Sequence, residues 1–315
     1  MGKALIKIPE LHNNNYSFTK VLSQSIKVNR KQKKICSSFA LKNNITLFQG
    51  DCMQLLKSIA DNSISLIVTS PPYNIGKEYE KKVKINDYFN WQRDVIRECH
   101  RVLKNDGSIC WQVGNYVDNG EVIPLDLLLY PIFIELKMKM RNRIIWHFGH
   151  GLHSYKRFSG RHETIMWFTK TDDYFFNLDP VRTPQKYPNK RYFKGNRKGE
   201  LSCNPNGKNP SDVWDIPNVK NNHVEKTEHP CQFPVGLVER LVLSMTKEND
   251  IVLDPFVGSG SSFVASLLHN RKCAGSEIEE KYIDIVKNRI QKTLNDEIRI
   301  RAMNKPIYQP NNLDT

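Results

Sequence analysis

Residues 251–270 constrain the chain more than any other stretch. Ile251-Val252-Leu253 is a short apolar run of the kind that makes a buried strand; Asp254-Pro255 ends it, and Gly258-Ser259-Gly260 leads into a helix over 261–270. A buried strand that passes through a glycine turn into a helix belongs to a strand–helix–strand crossover, which requires an α/β fold with a parallel sheet. Such a turn brings backbone amides close to a ligand. Two familiar ligands do not fit it. A phosphate loop needs Gly-Lys-Ser/Thr after its spacer, and a dinucleotide fingerprint needs a third glycine where Phe263 stands.

The rest of the chain follows the same alternation. Strands are expected at 45–49, 64–68, 108–113, 143–148, 163–169 and 272–276. Helices are expected at 52–59, 86–103, within 125–138, at 234–246 and at 280–294. The expected architecture is a parallel sheet with helices on both faces. A chain of 315 residues, 39% apolar, holds one large domain or a domain with a sizeable insertion. The most apolar stretch, 123–136, is broken by Pro124, Asp126, Pro131 and Glu135, so no membrane span is expected. No secretory signal is expected either, and seven cysteines without a CxxC pair point to reduced thiols and a cytoplasmic protein. A formal charge of +14 suits a polyanionic partner, with nucleic acid first.

Composition also divides the chain. Residues 1–42 hold nine Lys or Arg against one acid, Glu10, and read as a basic arm or a solvated tail. Segments 43–178 and 229–296 carry the strand–helix pattern, and 297–315 reads as a tail. Between them, 179–228 loses hydrophobic periodicity. Arg182, Lys186, Lys190, Arg191, Lys194, Arg197 and Lys198 are interleaved there with Tyr187, Tyr192 and Phe193. Basic residues mixed with aromatics suit a nucleic-acid surface, so 179–228 is expected to be an inserted recognition segment, its seven cations facing nucleic acid, rather than a long solvated loop.

Thr69-Ser70-Pro71-Pro72-Tyr73-Asn74 follows the 64–68 strand. Two prolines stop the strand and fix the backbone, and their missing N–H groups leave neighbouring carbonyls free to face outward as acceptors. With the Ser70 hydroxyl and the Tyr73 ring, the stretch offers acceptors for the two protons of an exocyclic amine and a surface for a base to stack on. At the glycine turn, Asp254 at the strand end would favour a cationic ligand. S-adenosyl-L-methionine carries both an ammonium and a sulfonium, and Glu277, at the end of the next strand, is placed for its ribose hydroxyls.

Asp254-Pro255-Phe256-Val257-Gly258-Ser259-Gly260 together with Thr69-Ser70-Pro71-Pro72-Tyr73-Asn74 resembles the amino-methyltransferases of DNA. The order, with the catalytic motif first, then a basic insertion, then the cofactor motif, is similar to the circularly permuted β group of bacterial restriction–modification systems. Gly50-Asp51, the stretches 101–107, 162–168 and 210–214, and His229-Pro230-Cys231-Gln232-Phe233-Pro234 extend the likeness over about 43–296. The resemblance implies a Rossmann-like, S-adenosyl-L-methionine-dependent sheet in which Ser70, Pro71, Pro72 and Tyr73 serve catalysis. Asp51, His229, Asp254, Pro255, Phe256, Gly258, Ser259, Gly260 and Glu277 hold the cofactor. Phe233 stands where many relatives carry lysine.

A base flipped out of duplex DNA, at a cost of a few kcal/mol, would seat on Tyr73 and offer its amine to the methyl group. The implied partners are double-stranded DNA and a restriction endonuclease acting on the same site without a stable complex, the enzyme being a monomer or a homodimer. Ser70 points to N4 of cytosine, whereas Asn74-Ile75-Gly76-Lys77 points to N6 of adenine, which is the expectation taken here. A non-catalytic nucleic-acid-binding protein and an RNA methyltransferase on the same fold are the remoter alternatives. His147, His150 and His153 lie in a glycine-rich loop without helical i, i+4 spacing, and no metal is expected there.

Overall fold

The computed structural model describes residues 33–305 apart from 79, 150 and 152. Most of the basic stretch at 1–42, together with His150, lies outside the described residues. In chain order the elements are β1 (Ile35–Cys36), β2 (Ile45–Gln49), α1 (Cys52–Ser58), β3 (Ile64–Thr69), α2 (Ile85–Val102) and β4 (Leu103–Val113). A hairpin of β5 (Asn115–Asp118) and β6 (Glu121–Pro124) precedes α3 (Leu125–Glu135), β7 (Lys139–His147) and β8 (His162–Thr169). A short 3-10 turn (Asp179–Val181) and β9 (Val213–Asp215) follow. The chain then runs through α4 (Val235–Met245), β10 (Ile251–Asp254), α5 (Ser261–Leu268), β11 (Lys272–Glu277) and α6 (Glu280–Leu294).

The sheet has the order β1-β2-β11-β10-β3-β4-β8-β7-β9. From β1 through β4 every neighbour is parallel, as expected for strands joined by helices. The parallel pairing read from the strand–helix alternation ends at β8, which is antiparallel to both β4 and β7. The reason is physical: only a loop, with no helix, joins β7 to β8, and such a link returns the chain as a hairpin.

Alternating side chains explain why helices cover both faces. In β3, Ile64 and Ile67 join one core cluster while Leu66 and Val68 join the other; in β10, Leu253 and Val252 divide in the same way. The first cluster packs against α1, α2 and α3 through Leu55, Val95, Ile96, Leu129 and Phe133. The second packs against α4 and α5 through Leu237, Leu241 and Val264. Each such fully buried Ile or Leu contributes about 1.5–3 kcal/mol of transfer free energy.

Parts of the described terminal stretches and of the insertion join this core. β1 pairs with β2, Ile298 and Ile300 pack on the second cluster, and β9 adds an edge strand beside β7. Buried Glu225 accepts from Val235 N at 2.8 Å and Arg301 N at 2.9 Å, tying the start of α4 to the segment after α6.

Candidate active site

β3 and β10 are hydrogen-bonded neighbours although some 185 residues separate them in the chain, and their carboxyl ends form one floor. Thr69 Oγ1 donates to Asp254 Oδ1 at 2.6 Å. Ser262 Oγ donates to Oδ2 at 2.5 Å, and Phe256 N to Oδ1 at 3.1 Å. Asp254 is 1% exposed and burial raises its carboxyl to about 6. The sequence placed Asp254 against a cationic ligand. The structure places it beneath the floor, outside the cavity lining, with three donors from its own chain. It joins the two halves of the site.

Above the floor lies a cavity of about 640 Å³. Ser70, Pro71, Pro72 and Tyr73 form one wall, and Pro255, Phe256, Gly258, Ser259 and Glu277 the other. Asp51 and His229 also line it. Of the thirteen catalytic and cofactor residues expected from sequence, only Asp254 and Gly260 stand outside this lining.

The wall that carries Ser70–Tyr73 is built by the turn after β3. Tyr88 Oη donates to the Pro72 carbonyl at 3.0 Å, whereas the Pro71 carbonyl takes no hydrogen bond from the described residues. Ser70 Oγ lies 3.2 Å from Tyr73 Oη, which donates to Glu163 Oε2 at 3.2 Å. Burial and the adjacent Glu163 carboxyl hold the Tyr73 phenol well above its usual range. Asn74, at φ 59°, turns the chain away and clasps Val83: its Nδ2 donates to Val83 O at 2.8 Å and its Oδ1 accepts from Val83 N at 2.7 Å. Glu80 accepts from the Asn74 and Ile75 amides at 2.8 Å each, which holds together a flap whose Asn74, Glu80, Lys81 and Val83 also line the cavity.

The opposite wall is set by the glycine turn. Gly258 has φ 53°, and a Cβ there would stand 3.0 Å from His229 Nε2, so the turn needs glycine both for its backbone and for the imidazole against it. Gly258 N donates to Glu277 Oε2 at 2.9 Å, and Glu279 N to Oε1 at 2.9 Å. These amides orient a carboxylate whose pKa burial raises. Gly260 sits at the start of α5. The His229 ring lies 4.3 Å from that of Tyr282, and burial lowers its pKa to about 4, which keeps it neutral at physiological pH. Asp51 caps α1, accepting from Met53 N at 2.7 Å, and keeps a place at the cavity edge.

Residues 64–288 match the DNA methylase family of N6 and N4 enzymes. The chain belongs to that family. The type II methyltransferase M.BglII of Bacillus subtilis is 54% identical over 252 residues, 80% of this chain and 70% of the relative. Among solved structures, the cytosine-N4-specific PvuII DNA methyltransferase aligns with TM-score 0.62 at 20% identity, covering 87% of this chain and 99% of that one. TTHA0409 of Thermus thermophilus, solved with S-adenosyl-L-methionine, aligns with TM-score 0.57 at 26% identity, covering 79% and 93%. The fold is the α/β methyltransferase fold.

In this methylase the cations at 182–198 divide by what they already touch. Arg182 donates to Asp179 Oδ1 at 2.7 Å and to Gly207 O at 3.1 Å, with its side chain mostly buried, and so braces the segment. Arg191 donates to Gly199 O, and Arg197 pairs with Glu200 at 2.9 Å while lying over the Tyr192 ring. Lys186 lies over Tyr187, whereas Lys190, Lys194 and Lys198 are exposed without an ion pair among the described residues. His147 Nδ1 meets Asp215 Oδ1 at 2.7 Å, and no group of metal-ligating side chains occurs among the described residues.

Sequence reading missed three residues of the methylase site. Glu163 and Gln112 line the cavity from β8 and β4, and nothing in a strand pattern announces them. Arg289, 4% exposed, donates to Ser259 O at 2.7 Å and to Ser261 Oγ at 3.1 Å beneath the glycine turn. One signal was available: Tyr282, Ile283, Val286, Arg289 and Ile290 share the buried face of α6, where a cation needs partners.

Proposed function

We propose that this methylase transfers a methyl group from S-adenosyl-L-methionine to the exocyclic amino nitrogen of a base swung out of duplex DNA, N4 of cytosine. One observation carries the reading. The Ser70–Tyr73 turn and the residues Gly258 and Glu277 line one cavity at the ends of neighbouring strands. Its volume suits a cofactor and a base together. The cofactor fits the residues present: Glu277 for a diol, Asp51 at the outer end, and Gly258, Ser259 and His229 for the amino-acid end. When bound, it supplies a methyl group on a positively charged sulfur.

The chain's own part is orientation. Ser70 Oγ and the Pro71 carbonyl accept the two amine protons, which turns the nitrogen lone pair out of the base plane toward the opposite wall. Tyr73 provides the stacking face, a contact generally worth about 1–3 kcal/mol. With its lone pair so turned, the amine nitrogen would take the methyl group that such a cofactor supplies in exchange for one of its own protons, released to solvent. Positioning in a site shielded from water is expected to give much of the acceleration.

Of the residues that favoured adenine, 74–77, Asn74 also lines the cavity, but both polar atoms of its side chain are taken up by the Val83 backbone, and Ile75, Gly76 and Lys77 stand outside the lining. Ser70, the residue that favours cytosine, stays in the wall. The permuted order is supported by adjacency: β3, which leads into the catalytic turn, lies beside β10, which leads into the glycine turn, yet precedes it by most of the chain. A nuclease cutting the same unmethylated sequence is the partner this activity would serve. Mass spectrometry of nucleosides from DNA incubated with the protein and labelled cofactor tests the reading. N4-methylcytosine is expected; N6-methyladenine would overturn the base assignment, and label on RNA or on no nucleic acid would overturn the function.

A further inference from the structure

Glu163 stands at the amino end of β8 with its carboxyl against the catalytic tyrosine. Both donors that the described residues give it, Tyr73 Oη at 3.2 Å and the Gln112 amide, meet the same oxygen, Oε2. That pattern suits a neutral carboxyl whose carbonyl oxygen is Oε2 and whose hydroxyl is Oε1. Gly114 leaves room for it: a Cβ there would stand 3.0 Å from Tyr73 Cε2 and 3.4 Å from Oε1. The residue lines the same cavity as Ser70 and Tyr73.

A cytosine stacked on Tyr73 with its amine at Ser70 has a ring nitrogen, N3, next to that amine. N3 has an in-plane lone pair, whereas the amine's lone pair is delocalised into the ring. N3 is therefore the better nucleophile, and in a cavity that holds a methyl donor it is the competing site. Attack by N3 would form an N3–CH3 bond with the same S–CH3 cleavage and leave a cationic base.

We propose that Glu163 is the residue that prevents this: Oε1–H donates to N3, fixing the base edge and occupying the lone pair that would otherwise take the methyl group. The assignment rests on the function proposed above; for adenine the corresponding atom is N1. Burial pushes the Glu163 carboxyl up to about 7, which favours the neutral donor form. The groups facing it are Tyr73 and Gln112, and neither changes charge near neutrality.

The test uses the full chain and a duplex carrying the site mapped by sequencing modified DNA from an expressing host. Wild type, Glu163→Gln and Glu163→Ala are compared for single-turnover rate, methylated products and cofactor affinity. The carboxamide introduced by Glu163→Gln would donate at every pH while still accepting from Tyr73. That variant should therefore recover most of the wild-type rate and give N4-methylcytosine. Glu163→Ala should lose about 10- to 100-fold, the usual scale for one charged or buried hydrogen bond, and should produce 3-methylcytosine with cofactor affinity retained. Wild-type turnover should fall as pH rises through about 7 while Glu163→Gln stays level.

Three results would overturn the proposal: Glu163→Gln as slow as Glu163→Ala, wild-type turnover that rises through the same pH span, or an Ala variant that keeps both rate and product. The rising profile would make Glu163 a proton acceptor instead. Wild-type protein that methylates no DNA would overturn the function itself, which is a separate outcome.

Discussion

Substitution of Asp254 separates two accounts of a residue that sequence placed at the cofactor and structure places under the floor. Its carboxylate receives Thr69 Oγ1, Ser262 Oγ and Phe256 N in a site 1% exposed. Asp254→Ala orphans all three donors at roughly 1–3 kcal/mol each. Against this, a carboxyl raised from 3.8 to about 6, burial outweighing its three donors, carries a net ionisation cost of about 3 kcal/mol at neutral pH, which the alanine variant no longer bears. The net loss is therefore on the order of 3 kcal/mol.

Asp254→Asn keeps an acceptor for Thr69 and Phe256 and turns an amide donor toward Ser262, so it should be close to wild type at pH 8 or above it in stability. The pH dependence follows from the sign of the shift. A carboxyl whose pKa is raised in the folded state stabilises the protein below its unfolded value, and that contribution is lost as pH rises through the folded one. Wild type should thus lose about 1.4 kcal/mol from this group between about pH 5 and pH 8, a slope absent in Asp254→Asn. Urea unfolding midpoints of the three proteins at both pH values measure this. Equal slopes in wild type and Asp254→Asn would refute the reasoning. So would an Asn variant of full stability whose cofactor affinity has collapsed, since that would make Asp254 a cofactor contact.

Other expectations follow from the same geometry. Tyr73→Ala should abolish transfer and, with about 1–3 kcal/mol of stacking gone, reduce enhanced fluorescence of a 2-aminopurine placed at the target, while cofactor affinity holds; retained transfer would remove Tyr73 from the site. Replacing Lys190, Lys194 and Lys198 together by Ala should lower the salt slope of DNA binding by about 2.7 if each meets a phosphate, and an unchanged slope would move the recognition surface elsewhere. Arg182→Ala, by contrast, should leave that slope alone and lower thermal stability, because its partners are Asp179 and Gly207. Arg289→Met should weaken cofactor binding, read by calorimetry, because the carbonyl of Ser259 loses the donor that fixes the glycine turn; wild-type affinity in a folded variant would contradict that support.

What sequence made legible were features written in local pattern. Val252 and Leu253 alternate between two buried faces, Gly258 and Gly260 mark the turn, and Pro71-Pro72 ends β3, and each of these needs only a few consecutive residues to be read. The antiparallel β7–β8 pair was also readable in principle from the lack of a helix between them, although alternation elsewhere suggested a uniform sheet. Other features depend on partners distant in the chain. Nothing near Thr69 shows that its hydroxyl meets Asp254, and nothing in the stretch 162–168 shows that Glu163 will face Tyr73. β9 has three residues, too few for periodicity to register, and takes its strand form from pairing with β7.

The pattern of misses has a common cause. Several residues that hold the motif turns in place are ordinary Thr, Glu and Arg side chains made special by burial. Thr69, Glu225 and Arg289 all satisfy groups in another element of the fold. A site made by bringing β3 beside β10 needs such ties more than a site on one loop, because strand pairing fixes the floor to within one register but leaves both turns free to move. Asp254 limits the catalytic turn through Thr69 and the glycine turn through Phe256 and Ser262. A one-ångström displacement of either turn would separate amine and methyl group, and positional losses of that size cost about 100-fold in rate. Any effect of Asp254 substitution on rate is therefore expected to act through distance, with no contact to either reactant required.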